Sequence, residues 1–243
     1  MKSEFVHLHN HSDYSLLDGA QQVSQLVNTI DDLNMDSVAL TEHGNMFSVL
    51  PYYKAAKKAG IKPIIGCEIY VAVGSRFEKK TTAEHGWGNN HLILLAQNYT
   101  GYKNLMKLVT AGYLEGFYYR PRVDIDLLRE YNEGLICMSA CLKGEVPERM
   151  LRGDYIGAKK AAITFSEIFP GRYYLEIQNH GIPEEEANLK NMKKLAEELD
   201  LPLVCTNDAH YSRKEHWEAH DIHICLGTGK ERSDPNRLRY ATP

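Results

Sequence analysis

The sequence predicts an α/β fold, and two observations carry the prediction. Short apolar runs alternate with longer amphipathic stretches throughout the chain, the signature of repeated β–α units. Histidines, carboxylates and a cysteine then recur at or close to the ends of those runs, mostly the carboxyl ends, where function gathers in closed barrels and open parallel sheets alike. About seven such units fit either architecture.

The elements follow in order. FVHLH predicts a strand over 5–9, VSQLVNTIDDL a helix over 23–33 and SVALT a strand over 37–41. A helix over 46–59 leads to PIIGCEIYVAV, a strand over 63–73. HLILLA (91–96) opens on its histidine, so its strand is expected to run antiparallel and present its start at the same rim. Helices over 101–112 and 125–131 precede GLICMS, a strand over 134–139. The helix over 153–169 can be capped by Asp154 or Gly153, and YYLEI then gives a strand over 173–177. Pro202 turns the chain after the helix over 183–200, so Leu201, Leu203 and Val204 read as a buried strand over 203–206. A helix over 214–225 closes the series. Residues 74–90, GSRFEKKTTAEHGWGNN, lack periodicity and read as a mobile, lid-like surface loop.

Composition narrows the class. With 243 residues, 43% hydrophobic and 25% charged, the chain matches an ordinary globular protein. No apolar run approaches the ~20 residues of a membrane span, and no signal peptide is visible, so a cytoplasmic location is expected. Cys67, Cys137, Cys141, Cys205 and Cys225 are odd in number, lack Cys-x-x-Cys spacing and read as reduced thiols, four of them in the core. A net charge of −4 argues against gripping duplex DNA by bulk electrostatics and predicts weak DNA affinity for the chain alone.

Nine residues form a potential ligand set: His9 and His11 in HLHNHS, Asp18 in LLDG, His43 in TEHGN, Glu68 in GCEIY, His91 in NNHLILL, Cys141 in MSAC, and Asp208 with His210 in NDAH. Imidazoles, carboxylates and one thiolate suit zinc, or manganese or iron at the more oxygen-rich positions. One four-coordinate ion cannot use nine ligands; if they converge they hold two or three ions, and such sites hydrolyse phosphate esters. Singly, each has a plainer explanation. A lone His-x-His arises by chance, His43 can cap a helix, Asp18 can serve a turn, Cys141 can be a buried thiol, and Asp208 with His210 can be a hydrogen-bonded pair. Nine together weaken those explanations.

HLHNHS, LLDG, TEHGN, GCE, SAC and NDAH, in this order, resemble the polymerase-and-histidinol-phosphatase (PHP) family over essentially the whole chain. YLEGFYYRPR and EIQNHG are not needed for metal chemistry and are similar to the branch of that family attached to bacterial replicative DNA polymerases. The resemblance implies a distorted seven-stranded (β/α)7 barrel with a trinuclear metal centre at the carboxyl-end rim. It implies one domain over 1–243, excised from the N-terminal end of a larger polymerase subunit and lacking polymerase activity itself. The implied activity is a metal-dependent 3′→5′ exonuclease with a proofreading role. Three divalent ions would be held, one by His9, His11, Glu68 and Asp208, a second by Glu68, His91 and Cys141, a third by Asp18, His43 and His210. Glu68, Asp208 and His210 would act at the reacting ions, and Glu68 would bridge because a carboxylate offers two oxygens.

For substrate, Arg120 and Arg122 in YYRPRVD are the phosphate-binding candidates, with Tyr118 and Tyr119 placed to stack on unpaired bases. Arg76, Lys79 and Lys80 come second, and His180 is a weaker contact candidate. A solvated surface explains the arginine and lysine clusters equally. His216, His220 and His223 share one helical face and read as packing residues, His7 is expected in a different environment from His9, and His85 sits in the loop. Expected partners are single-stranded or primer-terminus DNA, the remaining polymerase domains and a separate proofreading subunit. Two other functions compete: a phosphomonoesterase such as histidinol phosphatase, and a non-catalytic, metal-stabilised scaffold for the polymerase core.

Overall fold

The computed structural model describes residues 3–80 and 88–240. In chain order the elements are α1 (Val23–Asp32), β1 (Ser37–Leu40), α2 (Val49–Lys58), β2 (Lys62–Ala72), β3 (Asn89–Ala96), α3 (Tyr99–Leu114), β4 (Arg122–Val123), α4 (Ile125–Glu130) and β5 (Leu135–Met138). There follow α5 (Glu145–Leu151), α6 (Tyr155–Ile168), β6 (Tyr173–Ile177), α7 (Pro183–Leu199), β7 (Leu203–Cys205), a 3₁₀ turn (Lys214–His216) and α8 (Trp217–Thr228). The α/β class and the number of strands agree with the sequence-based expectation, with β4 in place of the strand expected over 5–9; the order is β1-β2-β3-β5-β6-β7 with β4 beside β2.

The chain divides into two compact units. The first comprises Met1–His43, Phe47–Ile65 and Asn207–Pro243. In it β1 pairs in parallel with the opening residues of β2, Ser37 against Lys62 through Leu40 against Ile65. The apolar stripe of α1 (Val23, Leu26, Val27, Ile30) packs with Val38, Leu40, Tyr52, Ala56 and Ile61, as i, i+3, i+4, i+7 spacing requires. Residues 5–9 do not form a strand. His7 O accepts from Ala39 N and Asn10 O from Thr41 N, so the acceptors lie three residues apart and miss the two-residue period of a ladder.

The second unit comprises Gly44–Met46 and Gly66–Thr206. β3 is antiparallel to both β2 and β5, as the position of His91 predicted, while β4–β2, β5–β6 and β6–β7 are parallel. Its core joins Cys67, Ile69 and Val71 with Leu92 and Leu94, covered by α3, α5, α6 and α7 through residues such as Leu105, Met150, Phe165 and Leu195. The caps are chemical: Asn98 accepts from Gly101 N for α3, Asp124 from Leu127 N for α4, and Asp154, rather than Gly153, from Gly157 N for α6.

Two elements of this unit were not predicted. β4 has two residues and follows Pro121, and α5 carries Pro147 in its first turn, where the missing N–H costs nothing. In the first unit the helix expected over 214–225 splits into the 3₁₀ turn and α8, which leaves His216 off the α-helix proper. Cys205 is exposed rather than in the core; the five cysteines are free thiols. Among the described residues no helix is long and apolar enough to cross a membrane.

Candidate metal ligands in each unit

Six of the nine ligand residues converge in the first unit. His9 and His11 flank Asn10, whose carbonyl accepts from Thr41 N just past β1, and Ala209 holds both, its N–H donating to the His9 carbonyl and its carbonyl accepting from His11 N. The His9 and His11 Nε2 atoms are 3.1 Å apart. Asp208 Oδ1 sits 3.1 Å from His9 Nε2 and 3.0 Å from His11 Nε2. Asp18 Oδ2 is 3.1 Å from His43 Nε2 and 3.8 Å from His210 Nε2. The rings of His43 and His210 stack on the two sides of His11, with centroids at 3.9 and 4.4 Å. Potential ligand atoms of His11, His43 and His210 all lie within 4.8 Å of one another.

The backbone is bent to achieve this. Asp208 adopts φ 47°, a left-handed conformation that aspartate tolerates better than most residues. Gly19, next to Asp18, approaches Ser12 O so closely that a Cβ would lie 1.8 Å from it, so the turn presenting Asp18 admits only glycine.

Hydrogen bonds fix the ring tautomers. Ser15 Oγ donates to Glu42 Oε2 (2.6 Å), so His11 Nδ1–H must donate to Ser15 Oγ (3.3 Å), leaving the His11 Nε2 lone pair for a cation. His210 Nδ1–H donates to the Asp208 carbonyl (2.7 Å), which leaves Nε2 as the acceptor nitrogen, 3.8 Å from Asp18 Oδ2 and 3.2 Å from the Tyr240 hydroxyl, whose place an ion would take. His220 Nε2–H donates to the Asp18 carbonyl (2.7 Å) and braces that loop. Glu42 is buried and also accepts from Ser12 N (3.0 Å) and from the Ser12 hydroxyl. Ser12, Ser15 and Glu42 were missed by sequence reasoning, although both serines stand within HLHNHSDYS and Glu42 precedes His43. Ser15→Ala is expected to weaken metal affinity by about 10–100-fold, the usual effect of removing an outer partner of a ligand histidine. Isothermal titration of the chelated protein with zinc checks this; unchanged affinity would refute the tautomer assignment.

The electrostatics suit cations. Burial raises the Asp18 carboxyl, but its hydrogen bond to His43 and its electrostatic attraction to the His43, His210 and His11 rings outweigh that and hold it at about 2. Burial would also raise Asp208, yet His9, His210 and His11 keep it below the usual carboxylate range. Burial, reinforced by His11, pushes His210 down to about 3, so its ring is neutral and able to ligate. Asp18 Oδ1 is buried and finds no hydrogen-bond donor among the described residues. An orphaned carboxylate oxygen beside imidazoles fits a divalent ion.

The second unit gathers the other three. Glu68 pairs with Ile93 across β2 and β3, which puts His91, two residues along, on the same face as its diagonal neighbour. His91 Nδ1 lies 2.8 Å from Glu68 Oε1 and 3.9 Å from Cys141 Sγ, and potential ligand atoms of all three fall within 4.8 Å. Glu68 is fully buried, while His91 and Cys141 are half-buried. Ala140 (φ 64°), at the turn after β5, delivers Cys141; a left-handed alanine is strained, as is common at functional positions. Carboxylate, imidazole and thiol at this spacing fit a zinc-type ion.

The substrate candidates fare unevenly. Arg122 is corrected: it is 2% exposed, and its guanidinium donates to the carbonyls of Gly116 (3.1 Å), Glu78 (2.9 Å) and Arg76 (3.3 Å), so it cannot reach a phosphate. Arg122→Ala is expected to cost about 2–4 kcal/mol by orphaning those carbonyls, measured as a lower urea midpoint, without altering DNA affinity. Arg120 is exposed and lies over the Tyr70 ring, and Tyr119 is exposed beside Tyr118. Arg76 is committed to Glu115 (2.7 Å) and Asp124 (3.0 Å), which tie down the start of the expected lid; Lys80 pairs with Glu78, and Lys79 is exposed. Residues 81–87 of that loop, with His85, lie outside the described residues. His180 Nδ1 is held by the buried Glu185 at 2.7 Å. Burial lowers the pKa of His7.

The chain matches the model of the PHP domain over residues 7–180. It belongs to the PHP domain family. It is 49% identical over 241 residues to the DNA polymerase III subunit alpha of Borreliella burgdorferi, covering 99% of this chain and 21% of that protein. The subunit alpha of Treponema pallidum is 48% identical over 244 residues, with the same coverage. The chain thus spans about a fifth of the length of the curated relatives it matches. In fold it is similar to an amidohydrolase from Chromobacterium violaceum solved with bound sulfate and no metal, at a TM-score of 0.50 and 12% identity over 90% of this chain and 96% of that one.

Proposed function

We propose that this chain is the metal-dependent phosphodiesterase domain of a bacterial DNA polymerase III α subunit, removing nucleotides from DNA 3′ ends in proofreading. The convergence of four imidazoles and two carboxylates in one unit, with an Asp18 oxygen left without a donor among the described residues, carries the reading. The identity to curated α subunits supports the choice of DNA over a small phosphate ester. His9, His11 and Asp208 would hold one divalent ion, Asp18, His43 and His210 another, and Glu68, His91 and Cys141 a third. Zinc suits the Cys141 position and zinc or manganese the others. Such ions supply Lewis acidity and activate water near neutral pH. The protein's own part is to orient the His11 and His210 rings, through Ser15, Glu42 and the Asp208 carbonyl, and to keep the Asp18 and Asp208 carboxylates ionised. Substrate would be a single strand or primer terminus, with Arg120 and Tyr119 as contacts and His180 as a weaker one. The rest of the polymerase and a proofreading subunit would be partners in a cytoplasmic assembly.

Digestion of 3′-labelled and 5′-labelled single-stranded DNA, with added zinc or manganese, tests the proposal. Stepwise loss from the 3′ end is expected. Release of phosphate from small esters alone would favour a phosphomonoesterase, and bound metal without any hydrolysis would favour a scaffold.

A further inference from the structure

We propose that the first unit carries a nucleotide subsite, a cleft of about 290 Å³ beside Asp18 and His210 that takes one 5′-mononucleotide, its base on the rings of Trp217 and Tyr240 and its phosphate on Arg239. This deepens the phosphodiesterase reading and rests on it for the source of the nucleotide.

The cleft adjoins the ligand residues through two contacts. His220 at its floor donates to the Asp18 carbonyl, and the Tyr240 hydroxyl lies 3.2 Å from His210 Nε2. Tyr211 and Tyr240 flank the His220 ring, with centroids at 4.9 and 4.8 Å, which fixes the floor as an aromatic surface. Trp217 and Tyr240 are 46% and 40% exposed, large flat rings offered to solvent at the wall of a concavity. Sequence-tolerant stacking of a base needs such rings.

Charge selects the rest of the ligand. Arg232, Arg237 and Arg239 all line the cleft. Arg237 is spent on Asp221 in a two-pronged pair (2.6 and 2.7 Å), and Arg232 on Glu218 (2.8 Å) and Asp221 (3.3 Å). Arg239 is exposed, and among the described residues its guanidinium has one hydrogen bond, to the Asp234 carbonyl at 3.5 Å. Among the described residues Arg239 alone of the three makes no ion pair, its charge reaching Asp221 only at longer range, so it is the arginine able to turn to a phosphate. A guanidinium held by one long hydrogen bond next to exposed aromatic rings matches a base joined to a phosphate better than either group alone.

Trp217 and Trp87 are the two tryptophans of the chain, so Trp217→Phe provides the blank for a fluorescence titration. The chain is titrated with dAMP, deoxyadenosine and inorganic phosphate in the presence of chelator. Expected are quenching of Trp217 by dAMP, binding of dAMP about tenfold tighter than of deoxyadenosine or phosphate, and loss of that advantage in Arg239→Gln. No quenching, equal affinity for phosphate and dAMP, or an unchanged dAMP affinity in Arg239→Gln would overturn the subsite. Because the readout needs neither metal nor hydrolysis, dAMP binding by a chain inactive on DNA overturns only the phosphodiesterase reading. An active chain that does not bind dAMP overturns only the subsite.

Discussion

Asp208→Asn lowers metal-dependent hydrolysis by at least about a hundredfold, since loss of a ligand should exceed the 10–100-fold typical of losing an outer partner. Asp208 contributes twice. Its carboxylate lies about 3 Å from both His9 and His11 Nε2, and its carbonyl holds His210 Nδ1 at 2.7 Å. Asparagine preserves the carbonyl, the shape and the tolerance of the left-handed conformation at φ 47°. What it removes is the negative charge between two imidazoles. Steady-state hydrolysis, with circular dichroism to confirm the fold, measures the effect. A rate within threefold (roughly 0.7 kcal/mol) of the wild type would remove Asp208 from the reacting centre.

Chelation should lower the melting temperature by about 8–16 °C. An ion present at a thousand times its dissociation constant stabilises the folded state by about 4 kcal/mol. In a chain of this size each kcal/mol moves the midpoint by about 2–4 °C. The stripped protein keeps a fully buried Glu68 and a buried Asp18 Oδ1 with no hydrogen-bond donor among the described residues, and neither can be resolvated without local opening. Calorimetry with and without chelator gives the shift. A change below about 2 °C would mean that these residues hold no tightly bound ion.

The sequence reading succeeded where one physical signal dominated. Apolar runs such as HLILLA and GLICMS named β3 and β5, because a strand covered on both faces is continuously apolar. The antiparallel course of β3 was legible from His91 at its start. Elements shorter than the period they must display were not legible: β4 has two residues. The segment 5–9 misled for the opposite reason, since its alternation looks like a strand while its acceptors fall out of register beside β1.

Ligands were easier to find than their supports. A histidine or carboxylate in a motif declares its chemistry, whereas Glu42 reads as a surface acid until two serines some thirty residues away are seen to bury it. His220 matched its expected packing role, but its partner, the Asp18 carbonyl 202 residues away, could not be seen in one dimension. Arg120 and Arg122 were indistinguishable in YYRPRVD. Pairing of Arg122 with Tyr70 across β4 and β2 turns one guanidinium to the interior and leaves the other in solvent.

The most direct test is a reconstitution. Metal-stripped protein is titrated with zinc or manganese while bound metal and release of nucleotides from single-stranded DNA are followed together. The account predicts no hydrolysis without metal, and a rate that rises with occupancy and levels off as the ligand groups fill. Undiminished hydrolysis by the metal-free protein, or full occupancy without hydrolysis, would contradict it.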